Sequence, residues 1–140
     1  MWHWLLRLLG RDKPRGQALG RAGERLAAGH LQSAGYRVLG RNVETTVGEA
    51  DLVCLDPDGR TIVVVEVKTR VEGEPNQPHI NPEASVGAQK QRKLLRVAGH
   101  LAATRGWQDR PVRIDVIAID WSDKGHHAIR HYAAAVVHRA

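Results

Sequence analysis

Asp51, Glu66 and Lys68 are the residues of this chain best suited to chemistry, and their spacing decides whether they meet. Two β-rich runs carry them: Glu49 to Leu55, and Thr61 to Thr69. Between the runs stands Asp58-Gly59, a hairpin signal in which both turn positions take φ > 0. With that pair as the turn, or with the loop widened symmetrically to four residues, Leu55 faces Ile62 and Asp51 faces Glu66. Opposed residues point to one face with Cβ atoms ~5 Å apart, so two carboxylates there repel. A hard divalent cation relieves the repulsion; Mg2+ takes one or two carboxylates plus waters and substrate phosphates. Lys68 follows Glu66 on the same face, where it could orient a metal-bound water or stabilise a phosphate oxygen. The pattern suggests metal-assisted phosphodiester hydrolysis. The plainer alternative is a structural Glu66–Lys68 pair beside an edge aspartate.

Two long helices must position this hairpin. The first is expected from Gly16 to Ala34, with Leu19, Ala22, Gly23, Leu26, His30 and Ala34 as its buried stripe and Gly35 beyond its end. At about 100° per residue, Glu24 falls beside this stripe with Ala27 and Leu31. From there it could reach sideways to a site on the sheet, or pair with Arg21 or Arg25. The second helix is expected from Pro82 to Arg105, burying Leu94, Val97, Ala98 and Leu101. Gln89, Arg92, Lys93 and Arg96 cluster on its opposite side. Lys90 alone projects to the buried side, where a lysine must snorkel or find an anion.

The other segments read in order as short strands over Tyr36–Leu39 and Val43–Val47, separated by a Gly40-Arg41-Asn42 turn. Val71 to Pro82 reads as a loop, and Pro111 to Trp121 as a strand covered on both faces. On that strand Arg113 and Asp115 share a face and could pair. His127 to Tyr132 reads as a final strand, with Ala133 to Ala140 as a tail. Residues 1–15 are expected to be a flexible N-terminal segment, and 16–140 a single domain. Trp2 to Leu9 is too short and too interrupted to span a bilayer.

The chain has 140 residues and a formal net charge of +6, a balance that favours polyanionic partners. Cys54 is the only cysteine, which excludes an internal disulfide and fits a reducing cytoplasm. It alternates away from Asp51, as a buried thiol rather than a nucleophile. His127 and His131 would have ligand spacing only on a helix, and no third ligand joins them for zinc. No phosphate-cradling glycine motif or nucleophile elbow is present.

The order of helix, Asp and Glu-x-Lys hairpin, basic helix and strand resembles the PD-(D/E)xK, or restriction-endonuclease-like, nuclease superfamily. More narrowly, Gly48-Glu49-Ala50-Asp51-Leu52-Val53, Val64-Val65-Glu66-Val67-Lys68-Thr69-Arg70, Lys90-Gln91-Arg92-Lys93 and Arg113-Ile114-Asp115-Val116 look like the YraN family of small bacterial proteins. That family is considered similar to archaeal Holliday-junction resolvases. The resemblance covers roughly Gly16 to Val137 and implies an α/β fold, a mixed β-sheet flanked by helices. It implies Asp51, Glu66 and the Val67 carbonyl as ligands of Mg2+ (or Mn2+), Lys68 as the catalytic lysine, and Glu24 as the acidic residue of the first helix. Arg70, Lys90, Arg92, Lys93 and Arg96 would hold DNA, branched DNA included, and a homodimer follows by analogy with symmetric two-strand cutting. Ala50 departs from the proline of the superfamily's motif, at a position that holds no ligand. Two other functions compete: a non-catalytic nucleic-acid-binding module, which needs only the Lys/Arg face, and a basic adaptor working through the Trp2/Trp4 segment.

Overall fold

The Asp58-Gly59 turn caps a hairpin between β2 (Gly48–Leu55) and β3 (Ile62–Val71) in the computed structural model, which describes residues 15–71, 88–122 and 124–136. Leu55 pairs with Ile62, Cys54 with Val63, Val53 with Val64 and Leu52 with Val65, the register expected from the turn. Asp56 N donates to Thr61 O, which leaves a four-residue loop from Pro57 to Arg60. Only Gly59 takes a positive φ, 71°, against the expectation of two such residues. Asp58 stabilises the turn differently. Its carboxylate accepts the Arg60 and Thr61 amides and the Thr61 hydroxyl at 2.7, 2.8 and 2.6 Å.

The hairpin lies inside a five-stranded mixed sheet of order β1-β2-β3-β4-β5. The added strands are β1 (Arg37–Thr45), β4 (Val112–Trp121) and β5 (His127–Val136). β3 and β4 run parallel; the other neighbours are antiparallel. A parallel pair needs a long crossover, and α2 (Ala88–Arg105) lies on it. The remaining helix is α1 (Arg15–Ser33). This is the α/β arrangement of a mixed sheet with flanking helices. The N-terminal segment, most of the Val71–Pro82 loop and the Pro82-to-Gly87 start of the second helix lie outside the described residues.

The two short strands expected over Tyr36–Leu39 and Val43–Val47 are one strand, β1. Gly40 and Asn42 do not turn the chain: the register slips between Val38 and Gly40, and Asn42 absorbs a φ of 47°. Pairing with β2 supplies the backbone partners on both sides of the slip, so the irregularity remains a bulge. β5 likewise runs on through Val136 instead of giving way to a tail at Ala133.

Each face of the sheet carries its own core. On the α1 side, Ala22, Ala27, Ala28 and Leu31 pack with Leu52, Cys54, Val63, Val65, Ile117 and Ile119. On the α2 side, Leu94, Val97, Ala98 and Leu101 pack with Ala50, Val53, Ile62, Val64, Ile114 and Val116, the α2 stripe expected from spacing. The α1 stripe differs from expectation. Its small residues bear on the sheet, Leu19 and Leu26 flank them partly buried, and Ala34 is exposed. Small side chains at the contact let the helix approach the sheet closely. The end of α1 is as the sequence suggests: Gly35 takes φ 92°, Gly35 N donates to Gln32 O, and Tyr36 N donates to Leu31 O, a Schellman cap.

Gly23 fixes the height of α1 above β3. A Cβ built there would stand 2.0 Å from Thr69 Oγ1 and 3.3 Å from Thr69 Cβ. Gly23→Ala should therefore destabilise by about 1–2 kcal/mol, overpacking outweighing alanine's better helix propensity. In a Thr69→Ala background most of that penalty should vanish. Urea denaturation of the four proteins checks it; equal penalties in both backgrounds would contradict the close approach.

Candidate active site

The site forms where β2 and β3 part. Their ladder ends at Leu52↔Val65, and the next position in that register sets Asp51 against Glu66. Strict alternation also breaks there: Ala50 belongs to the α2-side core and Leu52 to the α1-side core. Asp51 uses this break. Its Oδ2 accepts the Val67 amide at 2.8 Å, a bond the strand backbone would otherwise make. In a strand, a residue's N–H and C=O face the same neighbour, so the Val67 carbonyl is also on the β2 side.

Glu66 is 6% exposed on the α2 face of β3. The Asp51 and Glu66 carboxyl groups are within hydrogen-bonding contact. Burial, then the charge of Glu66, push the Asp51 carboxyl up to about 7; the Val67 amide opposes this and the charge of Glu24 adds to it. Near neutral pH the Asp51 carboxyl is thus partly protonated. Lys90 Nζ lies 2.5 Å from Glu66 Oε1, and Lys68 Nζ lies 3.5 Å from the same oxygen. Hydrogen bonding and the charges of Glu66 and Asp51 raise Lys90 above the ordinary ammonium range, outweighing its burial.

The structure therefore brings together Asp51, Glu66, Lys68, Lys90 and, through its field on Asp51, Glu24. Gly23, locked on Thr69, is what delivers Glu24. Arg92, Lys93 and Arg96 are exposed along α2, outside this cluster. Arg70 is half-buried, two residues beyond Lys68 on β3, with Asp120 opposite it on β4. Cys54 is buried and its thiol is pushed up to about 12, chiefly by burial, so it is no nucleophile. His127 and His131 stand on a strand, not on the helix their zinc spacing would need.

A divalent metal is implied by the resemblance and has to be judged on the donors. Among the described residues no three His, Cys, Asp or Glu side chains gather around one point. A closed cage is therefore missing there, but Mg2+ does not require one. Two carboxylates in contact, one of them almost fully buried, with a backbone carbonyl on the same side, form an oxygen-only donor set. That set fits a hard ion that keeps several waters.

A second buried acid escaped the sequence reading except for its pairing with Arg113. Asp115 is 0% exposed, on the α1 face of β4. It accepts Arg113 Nε and Nη2 at 2.8 and 3.0 Å and Ala134 N at 2.9 Å, and His131 Nε2 lies 2.8 Å away. Arg113 also reaches Asp56 Oδ2 and the Tyr36 hydroxyl, both at 2.9 Å. The His131 ring lies against those of His30 and Tyr36. The slip between Ile114 and Val116 and the φ of 54° at Ala134 bring the Ala134 amide to this carboxylate. The signal was a lone acid at an inward position of an apolar strand.

The family model described as uncharacterised protein family UPF0102 matches residues 23–119, a span containing Glu24, Asp51, Glu66, Lys68, Lys90 and Asp115. A UPF0102 protein of Anaeromyxobacter dehalogenans (strain 2CP-C) is 41% identical over 119 residues, 85% of this chain and 84% of that protein. One of Mycobacterium sp. (strain KMS) is 45% identical over 103 residues, 73% of each chain. Among solved structures, Pyrococcus furiosus SfsA in complex with Ca2+ is matched at 15% identity and a TM-score of 0.34. That match spans 84% of this chain and 62% of SfsA, less than two-thirds of its length.

Proposed function

We propose that this chain, which belongs to the uncharacterised protein family UPF0102, is a metal-dependent endonuclease that hydrolyses phosphodiester bonds of DNA, branched DNA included. The observation that carries this reading is the contact between the Asp51 and Glu66 carboxyls at the parting of β2 and β3, with Lys68 beside them. Burying two acids against each other is costly unless the site serves a cation. Asp51, Glu66 and the Val67 carbonyl would hold Mg2+ or Mn2+. When bound, the ion supplies Lewis-acid activation of the scissile phosphate and of a water. Lys68 Nζ positions or deprotonates that water and faces the developing charge on the phosphate. Glu24 adds a carboxylate from the α1 side, and Arg70, Lys90, Arg92, Lys93 and Arg96 hold the backbone on the α2 side. Lone Cys54 fits a cytoplasmic setting, and no helix of the described residues is long and apolar enough to cross a membrane. Paired cuts in a branched substrate call for a homodimer, which sedimentation would reveal.

A non-catalytic nucleic-acid-binding module is the second reading. What favours it is that two ammonium groups already face Glu66. Cleavage assays with Mg2+ and Mn2+ on single-stranded, duplex and four-way-junction DNA separate the two readings. Metal-dependent products support the nuclease; binding without products supports the module.

The proposed DNA surface has its own test. Replacing Arg92, Lys93 and Arg96 together should weaken binding and flatten the slope of log affinity against log salt by about one unit per lost phosphate contact. Fluorescence anisotropy at several salt concentrations reads the slope, and an unchanged slope would move the DNA surface elsewhere.

A further inference from the structure

The Lys90 side chain is 44% exposed, so what holds it in place is its tip. Lys90 Nζ meets Glu66 Oε1 at 2.5 Å and lies within the field of Asp51. Lys68 is farther from the same oxygen, at 3.5 Å. Glu66 itself is 7% exposed in its side chain, with the Asp51 carboxyl against it. Its charge requires a positive partner, and the nearer of the two present comes from α2.

We infer that Lys90 is an internal placeholder for the divalent cation: its ammonium neutralises Glu66 in the metal-free protein, competes with the ion for Oε1, and withdraws when the ion binds. The inference rests on the nuclease reading for the identity of the ion, and its own content is the competition. The ammonium and the ion need the same carboxylate oxygen and repel each other across it. With its side chain 44% exposed, Lys90 can leave the site without moving α2, whose core residues Leu94, Val97, Ala98 and Leu101 begin one turn later. The same device keeps the buried Glu66 and the half-buried Asp51 from destabilising the protein before metal arrives.

Calorimetric titration of MnCl2 into the full-length wild type and Lys90→Met, each in the absence of DNA, tests the competition. The expected result is a dissociation constant about tenfold lower in Lys90→Met, because a repelling charge near the ion is gone. Thermal denaturation in EDTA gives a second readout. Lys90→Met should melt below wild type, recover when MnCl2 is added, and recover without metal in Lys90→Met/Glu66→Gln. Lys90→Gln, which keeps a polar tip without the charge, should show the same tightening. If wild type binds Mn2+ and both variants bind it equally or more weakly, the placeholder is wrong and the nuclease reading is untouched. If only the variants bind Mn2+, the placeholder stands and metal-dependent cleavage by the wild type falls. If none of the three binds Mn2+, both fall.

Discussion

If the proposed nuclease reading holds, Asp51→Asn and Glu66→Gln should each lower metal-dependent cleavage by about a thousandfold or more, while DNA affinity in EDTA should stay within about threefold of wild type. Both swaps keep side-chain shape and remove the charge that would hold a cation. The proposed DNA surface, Arg92, Lys93 and Arg96, is exposed on α2, and neither swap touches it. Lys68→Ala loses cleavage too but keeps most of the metal affinity, since a lysine is not a ligand. Metal-free stability gives the same substitutions a signature independent of activity. Asp51 titrates at about 7 in the folded protein, above its ordinary 3.8, because of burial and the charge of Glu66. The folded state therefore holds a proton that the unfolded state releases across this interval. Metal-free stability from this group is complete below about pH 4 and declines as pH rises toward 7. Asp51→Asn should remove that decline and, at pH 8, leave the metal-free protein about 1–2 kcal/mol more stable than wild type. Urea denaturation in EDTA at pH 5 and pH 8 checks it. Equal cleavage by wild type and both variants would assign the activity to another site.

Asp115→Ala should have the largest structural effect, about 3–5 kcal/mol of destabilisation, because it leaves Arg113 Nε and the Ala134 amide without an acceptor and removes the carboxylate that partners Arg113. The pair sits in the α1-side core beside Tyr36 and His131 and ties β4 to β5 and to the hairpin at Asp56. Hydrogen bonds from His131, Arg113 and Ala134 hold the Asp115 carboxyl below the ordinary carboxylate range, against its burial. Its contribution is present at neutral pH and is lost as pH falls through and below the usual carboxylate range. Wild type should therefore lose stability on acidification from this network, and Asp115→Ala should show a correspondingly flatter acid limb. Urea denaturation between pH 3 and pH 7 measures both effects. A loss under about 1 kcal/mol would mean that the network is not a structural tie.

The hairpin register was legible because one turn fixes every pair above it. Asp58-Gly59 set Leu55 on Ile62 and, by counting, Asp51 on Glu66. The break of alternation at Asp51 was not legible, since it comes from the parting of β2 from β3 rather than from residue types. On α2, apolar spacing separated Lys90 from its basic neighbours, and Lys90 does turn inward to Glu66. On α1, the largest apolar residues misled. Gly23, Ala27 and Ala28 bear on the sheet because they are small, while Leu19 and Leu26 are only partly buried. Gly40 and Asn42 look like a turn on their own, and only the partner strand makes them a bulge. The Asp115 network joins β4 and β5 to Tyr36 just before β1 and Asp56 just after β2, with His30 of α1 beside it, a convergence that no local pattern encodes.

Anomalous diffraction from crystals of the full chain soaked in MnCl2 locates the ion itself. One strong peak beside the Asp51 and Glu66 carboxylates is expected, with Lys90 Nζ withdrawn from Glu66. A peak elsewhere, or none while Lys90 remains on Glu66 at saturating MnCl2, would contradict a metal site there.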